Sequence, residues 1–322
     1  MVTPWVEKYR PVNFDEVVGN KKTVQLLANL VQKNVSIPNL LLCGPSGCGK
    51  TVCVDILCKR VIKDNRDARI LRLSSFDERG IDNVRTTIKN FARGRVKTEA
   101  NPTIEKIIVL DEADSMTPGA FQALRRIMEV YSKTTRFIMV CNNSTKIIEP
   151  IQSRCAILRF SKVEDGHVRS RIRQVCDIAS VDYDLEGIDA LARVADGDMR
   201  TAINNLSSTV SGFNRVTAEN VYKTCDSPQP EKIEEIIELL GKEQGFVRAC
   251  RNLKELCDEG YSPTDILSSF FKALSIVDLD VEESQRVDIA KAIGLAQARV
   301  LNGASTYLQL VAMLWNIAKT LK

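Results

Sequence analysis

The sequence predicts an α/β domain built on a parallel sheet, followed by two all-helical segments. Three observations carry that prediction. Apolar runs of strand length alternate with helical stretches up to about residue 160. After residue 163 the strand signal vanishes and only helical spacing remains. A glycine-rich turn, Gly44-Pro45-Ser46-Gly47-Cys48-Gly49-Lys50-Thr51, joins one of the runs to a helical stretch. Strand–helix alternation is the rhythm of βαβ units, which place parallel strands in one sheet with helices on both faces.

The runs are Leu40–Cys43, Ile70–Leu73, Ile107–Leu110, Phe137–Cys141 and Cys155–Phe160. They are nearly continuous in apolar residues, as strands covered on both faces require. Lys50 to Val61 reads as the helix after the first run. Beyond 163, three stripes fall at helical spacing: Val168, Ile172, Val175 and Ala179; Leu185, Ile188, Leu191 and Ala195; Ile203, Leu206 and Val210. Asp226-Ser227-Pro228-Gln229-Pro230 reads as a polar, proline-bearing linker. Ile233, Ile236, Ile237 and Leu240 open the last segment, and Phe246, Cys250, Leu253 and Cys257 follow. Ser262-Pro263-Thr264-Asp265 is a capping-box start for a helix carrying Leu267, Phe270, Phe271 and Leu274. The last helix has a wide apolar surface: Leu308, Val311, Trp315 and Ala318, with Leu310, Leu314, Ile317 and Leu321 alongside. Such a surface suits a core helix or a subunit interface. The expected division is 1–163, 164–226 and 227–322.

Composition bounds the function classes. A length of 322 residues fits two or three domains. A net charge of +4 does not announce a nucleic-acid binder, so any basic surface must come from local placement. None of the ten cysteines is spaced C-x-x-C. Cys43, Cys48, Cys53 and Cys58 recur every five residues, which matches no zinc pattern and reads as small apolar packing in a reducing compartment. Met1 to Arg10 has no apolar signal core. Leu310 to Trp315, the longest apolar run of the C-terminal segment, is far short of a membrane span, so no membrane partner is expected.

The glycine-rich turn matches G-x-x-x-x-G-K-[ST], the phosphate-binding P-loop. Glycines let such a turn expose several backbone N–H groups at once. Lys50 is then expected to reach the β and γ phosphates of ATP, and the Thr51 hydroxyl to hold Mg²⁺. Ile107–Leu110 ends in Asp111-Glu112-Ala113-Asp114. A carboxylate at the C-terminal end of a parallel strand lies where ligands of such sheets bind. Asp111 is expected to hold Mg²⁺ through water, and Glu112 to polarise the attacking water. Asn142 follows the run ending at Cys141 and offers an amide to that water or to the γ phosphate.

Ser153-Arg154-Cys155, Gly197-Asp198-Met199-Arg200 and Pro4-Trp5-Val6-Glu7-Lys8-Tyr9-Arg10-Pro11 complete the pattern. With L-D-E-A-D-S-M-T, Q-A-L-R-R-I-M-E, C-N-N-S-T-K-I-I-E-P-I-Q-S-R-C and G-D-M-R-T-A-I-N-N-L, the chain resembles the AAA+ ATPases over essentially its whole length. Within them it resembles the replication factor C small subunits of the eukaryotic sliding-clamp loader. The spellings G-N-K near residue 20 and D-S-P-Q-P near 228 point to the group called subunit 2 in animals and subunit 4 in budding yeast.

The resemblance implies an AAA+ sheet domain, a helical lid and an oligomerising helical collar. It implies an adenine pocket lined by Val6, Tyr9, Arg10 and Val18, and a nucleotide site spanning Cys43, Gly44, Pro45, Ser46, Gly47, Cys48, Gly49, Lys50 and Thr51. Asn142 matches the sensor-1 position and Arg200 the sensor-2 position, which contacts the γ phosphate. Arg154 matches an arginine finger acting on ATP held by the neighbouring subunit. The implied partners are the other replication factor C subunits in a hetero-pentamer, the PCNA clamp and primer–template DNA, in the nucleus. Arg79, Arg85 and Lys146 are candidate DNA-phosphate contacts, or else solvated basic residues. Before Arg79 the chain departs from the family spelling with Ser75-Phe76-Asp77-Glu78. Ile88 and Phe91, at i and i+3, resemble the clamp-facing helix; they project together towards a clamp groove or pack on the sheet. Another AAA+ motor (a branch-migration helicase or a chaperone) and a non-hydrolysing ATP-binding structural subunit are the alternative readings. No aromatic pore loop of an unfoldase stands out in the sheet domain.

Overall fold

All five expected runs enter one parallel sheet. The computed structural model describes residues 3–32, 37–62, 69–74, 84–94, 106–225, 228–242, 244–276 and 283–321. The N-terminal segment forms α1 (Trp5–Lys8) and α2 (Lys21–Gln32). Then come β1 (Leu40–Cys43), α3 (Lys50–Val61), β2 (Ile70–Ser74) and α4 (Lys89–Arg93), the last preceded by a π-helical turn, Val84–Ile88. β3 (Lys106–Asp111), α5 (Pro118–Val130), β4 (Thr135–Cys141), α6 (Glu149–Gln152) and β5 (Ala156–Arg159) complete the layer. The strand order is β2-β3-β4-β1-β5.

β1 therefore lies inside the sheet, paired with β4 through Cys43↔Cys141 and with β5 through Cys43↔Arg159. Every β1 residue is buried, which accounts for its unbroken apolar spelling. Alternate residues share one face: Leu41 and Cys43, Ile108 and Leu110, Phe137, Met139 and Cys141 form one cluster. Phe121, Leu124 and Met128 of α5 close it, at the spacing of one helical face. α5 starts where Thr117 accepts the Ala120 N–H at 3.3 Å and Pro118 takes a first-turn position needing no donor. Losing that cap costs about 1 kcal/mol. β5 is the sheet edge, with only Leu158 of its four residues buried.

After the sheet, α7 (Asp165–Ala179), β6 (Asp182–Tyr183), α8 (Leu185–Ala195), α9 (Met199–Phe213) and β7 (Arg215–Val216) follow within the first compact unit, Met1–Thr217. The expected stripes are buried at Val168, Ile172, Val175, Ile188, Leu191, Ala195, Ile203 and Leu206. Ala179 and Val210 are half-buried, and Leu185 is exposed on the first turn of α8. The sequence reading placed no strand here, yet β6 and β7 pair in parallel. Two-residue strands carry no periodicity to read; Arg215 steadies this pair by bonding Asp184 at 2.8 Å.

The second unit, Ala218–Lys322, has helices and their connections but no strand among its described residues. It contains α10 (Ala218–Cys225), α11 (Pro230–Leu240), α12 (Phe246–Asp258), α13 (Pro263–Ile276), α14 (Glu283–Leu301) and α15 (Tyr307–Thr320). At the start of α13, Ser262 Oγ accepts the Asp265 N–H at 3.2 Å and donates to the Asp265 carboxylate at 2.6 Å. α15 buries Leu310, Met313, Leu314, Ile317 and Ala318. Of the other stripe, Ala318 is buried and Val311 packs against the core, while Leu308 is 73% exposed and Trp315 60% exposed. One helix cannot bury its full circumference against a core on one side. Among the described residues no helix is long and apolar enough to cross a membrane.

Burial governs the thiols of α3. Cys53 and Cys58 are buried in the core, and burial pushes each up from an ordinary value of 9.0 to about 12. In the unfolded chain they ionise from about 9, while the folded chain keeps them neutral until about 12. Their contribution to stability is therefore full below pH 9 and is lost as pH rises towards 12. Urea midpoints measured from pH 8 to pH 10.5 should fall, and the double variant Cys53→Ala, Cys58→Ala should show a shallower fall. Ellman's reagent at pH 8 should leave both thiols untouched until the chain is denatured.

Candidate nucleotide-binding site

The loop after β1 depends on glycine. Gly44 has φ +152°, and a Cβ there would lie 2.2 Å from the Phe160 carbonyl oxygen. At Gly47, φ +61°, a Cβ would lie 1.8 Å from Asp198 Oδ1. Gly49, at φ +94°, is the N-cap of α3. Lys50 opens that helix and is only 6% exposed. Its Nζ donates to the carbonyls of Gly44 and Pro45, both at 2.6 Å, and to Asn142 Oδ1 at 3.1 Å. These acceptors are neutral, and Lys50 forms no ion pair among the described residues. A buried cation without a counter-charge is a poor structural element and a good receptor for an anion.

The ends of β3 and β4 supply the acidic and amide groups. Asp111 closes β3, and its Oδ1 accepts the Glu112 N–H at 3.0 Å. Glu112 is held at φ +50°, a left-handed conformation that costs a non-glycine residue about 1 kcal/mol or more. Its carboxylate side chain is exposed at the cavity wall. Asp114 Oδ2 accepts the N–H groups of Asn142 at 3.3 Å and Asn143 at 3.2 Å, fixing the turn that carries Asn142.

A cavity of about 290 Å³ unites these groups. Val6, Tyr9, Arg10 and Val18 line it, with Ser46, Gly47, Cys48, Gly49, Lys50, Thr51, Asp111, Glu112, Asn142 and Arg200. Cys43, Gly44 and Pro45 precede the wall and shape the loop without lining it. Sequence reasoning gave no site role to Glu16, Arg171, Met199 or Ile203, which also line it. Arg171 reaches from α7 to the Tyr9 carbonyl at 2.9 Å, and burial holds its guanidinium below the ordinary arginine value. Arg10 bonds Asp55 of α3, and Asp55 also pairs with Arg72 of β2. Cys48 is buried at the wall; burial raises its thiol while Lys50 opposes the shift.

The remaining expected site residues lie elsewhere. Arg154 does not line this cavity. Its guanidinium donates to the Pro150 carbonyl at 2.6 Å and pairs with Glu129 of α5. Lys146 is exposed at the end of a 3₁₀ turn, Ser144–Lys146. Arg79 and the side chain of Arg85 lie outside the described residues. Of the two readings of Ile88 and Phe91, a pair projecting towards a clamp groove is corrected, and packing on the sheet is the one observed. Ile88 is fully buried in the cluster beneath the sheet, and Phe91 is half-buried against it. Ile88 packs inward because the π-helical turn ending there turns it onto the α5 side of the core.

Two substitutions separate shape from charge at this site. Gly44→Ala should lower the melting temperature of the nucleotide-free chain, since a left-handed alanine facing a fixed carbonyl costs about 1–3 kcal/mol. Lys50→Ala should instead abolish the rise in melting temperature that added ADP or ATP gives the wild type. Differential scanning calorimetry with and without nucleotide reads both.

Similarity to known proteins agrees with this geometry. Residues 40–163 match the family model for the ATPase family associated with various cellular activities (AAA), and residues 228–316 match that for the replication factor C C-terminal domain. The chain is 45% identical to replication factor C subunit 4 of Oryza sativa, over 98% of its own length and 92% of the relative's. It is 44% identical to replication factor C subunit 4 of Saccharomyces cerevisiae, over 98% and 96%. The RuvB Holliday junction branch migration motor of Thermotoga maritima shares the fold at a TM-score of 0.55 and 16% identity, over 84% of this chain and 86% of that one. Such identity across nearly the whole length of both partners, with a glycine-shaped phosphate loop facing a strand-end carboxylate pair, establishes that the chain belongs to the replication factor C small-subunit family of AAA ATPases.

Proposed function

We propose that the chain is an ATP-hydrolysing small subunit of the replication factor C clamp loader. In this reading it works in a hetero-pentamer in the nucleus, placing the PCNA clamp on primer–template DNA for replication and repair. The observation that carries the catalytic part is the single cavity holding Lys50, Thr51, Asp111, Glu112, Asn142 and Arg200. The family membership carries the assembly part. The segments 1–163, 164–226 and 227–322 serve as ATPase domain, lid and oligomerising collar.

The donor set fits a magnesium nucleotide. The Thr51 hydroxyl and Asp111 carboxylate are hard oxygen ligands, suited to Mg²⁺ beside phosphate. Bound there, the ion neutralises charge on the β and γ phosphates. Lys50 already sits buried and unpaired by any carboxylate, so phosphate oxygens replace neutral carbonyls as its acceptors. Glu112 takes the proton of the attacking water, which the Asn142 amide orients. Val6, Tyr9, Arg10 and Val18 enclose the adenine. Arg200 contacts the γ phosphate from the lid. Arg154, outside its own chain's cavity, serves the ATP of the adjoining subunit, so hydrolysis depends on assembly. ATP closes the ring, the clamp opens, and DNA triggers hydrolysis and release.

Glu112→Gln should keep nucleotide binding and slow single-site hydrolysis by about 10²–10⁴-fold. Arg154→Ala should leave binding at its own P-loop intact and cut the neighbour's turnover by roughly 10³-fold or more. Nucleotide binding and single-turnover hydrolysis in loaders carrying one altered subunit separate the two, and a loss confined to the altered chain's own site would rule out the trans role.

Arg79, Arg85 and Lys146 should contact DNA phosphates rather than base edges, because a loader acts at any primer end. Each Ala variant should weaken primer–template binding alike for all sequences. Each should also lower the salt slope by about one unit. Fluorescence anisotropy against salt measures this, and unchanged slopes in all three would place these residues outside the DNA path.

A further inference from the structure

The lid helix α9 bonds directly to the phosphate loop. Ser46 Oγ donates to Asp198 Oδ2 at 2.7 Å, and the Met199 N–H donates to the Gly47 carbonyl at 3.2 Å. The second oxygen of Asp198 accepts the N–H groups of Arg200 at 2.9 Å and Thr201 at 3.0 Å. Approach this close needs glycine at 47, where a Cβ would meet Asp198 Oδ1 at 1.8 Å. One carboxylate thus holds the crown of the loop through one oxygen and the backbone of Arg200 through the other.

Helix capping accounts for only half of this arrangement. An N-cap needs one acceptor facing the first free N–H groups, and Oδ1 supplies it. The bond from Ser46 to Oδ2 adds nothing to the helix. It also sets a negative charge beside a loop that receives phosphate, which opposes nucleotide binding. A contact with that electrostatic cost and no capping role has its effect on relative position. What it positions is the first turn of α9, whose Arg200 side chain lines the nucleotide cavity.

We propose that Asp198 is a positioning residue that latches the lid to the phosphate loop and so registers Arg200 against the γ-phosphate position. The proposal rests on the reading of Arg200 as the γ-phosphate contact. Its consequence is discrimination: γ-phosphate recognition depends on Arg200 standing at a fixed distance from the loop, whereas ADP binding does not. Breaking the latch should reduce the preference for triphosphate over diphosphate, without loss of the helix.

The test compares Kd for ADP with Kd for a non-hydrolysable ATP analogue, by isothermal titration of the full chain with Mg²⁺. Ser46→Ala removes the latch and leaves the cap; Ser46→Thr keeps the hydroxyl. Ser46→Ala should reduce the triphosphate preference about 2- to 10-fold, as loss of one hydrogen bond does, and Ser46→Thr should restore it. Asp198→Ala should match Ser46→Ala or exceed it. Adding Ser46→Ala to Arg200→Ala should change nothing further. If Ser46→Ala keeps the wild-type preference while Arg200→Ala loses it, Asp198 is a cap alone and the latch is refuted. If Arg200→Ala itself keeps the preference, the reading of Arg200 fails first and takes the latch with it.

Discussion

The buried ammonium of Lys50 is the constraint from which the site is organised. It leaves the first turn of α3, turns back to the Gly44 and Pro45 carbonyls, and reaches Asn142 at the end of β4. Three separate pieces of chain are tied by one charge. The charge stays buried only because the loop around it is polar backbone rather than apolar side chain. That demand accounts for β1 lying inside the sheet, since only an interior strand places the loop between two neighbouring strand ends. It also accounts for Asp114, whose carboxylate holds the Asn142 turn by two backbone N–H groups. A rigid partner for the ammonium requires a rigid turn, and the neighbouring acidic residue provides it.

What was legible in the sequence follows from how local each signal is. The inner strands β1, β3 and β4 were readable because each is an apolar run covered on both faces, and a covered strand has no polar side to hide it. β2 and the edge strand β5, each interrupted by an arginine, were readable from the alternation with helices. α3 was readable from both ends, by the glycine turn before Lys50 and the loss of pattern after Val61. The phosphate loop and the β3 carboxylates are each contiguous in sequence, so each was readable as a motif, and the fold brings them to one cavity. Asp198 and Asp114 were quoted within motifs but carried no role, because their partners lie far along the chain: Ser46 is 152 residues from Asp198. Arg171 carried no signal at all, since its partner is a carbonyl, which every residue has. Ile88 stayed undecided because i, i+3 spacing fixes that two residues share a face and not whether that face looks out.

The N-terminal segment shows how a short peptide becomes a wall. α1 is four residues long and could not persist alone. It is fixed instead from outside: Arg171 takes the Tyr9 carbonyl, Asp55 takes the Arg10 guanidinium, and the Tyr9 ring lies edge-on to Trp5 at 5.4 Å. Two of those anchors come from different elements, α3 and α7. This wall of the cavity therefore keeps its shape only while α3 and α7 hold their places. The pocket is thus assembled from several elements held by side-chain anchors rather than cut into a single one.

Arg154, outside the cavity, is held by its own chain in a different way. Two of its five N–H donors are engaged, one kind by the Pro150 carbonyl and the other by Glu129. The rest stay available, so the side chain is oriented without being consumed. Glu129 is in turn drawn towards Arg125 at 3.4 Å, one turn back on α5, which spreads its charge between two guanidinium groups. A half-exposed arginine held this way loses less rotamer freedom on meeting a phosphate than a free one. The chain thus divides its chemistry between two surfaces. One is a complete phosphate receptor in the cavity, and the other is a guanidinium beside the exposed edge strand β5.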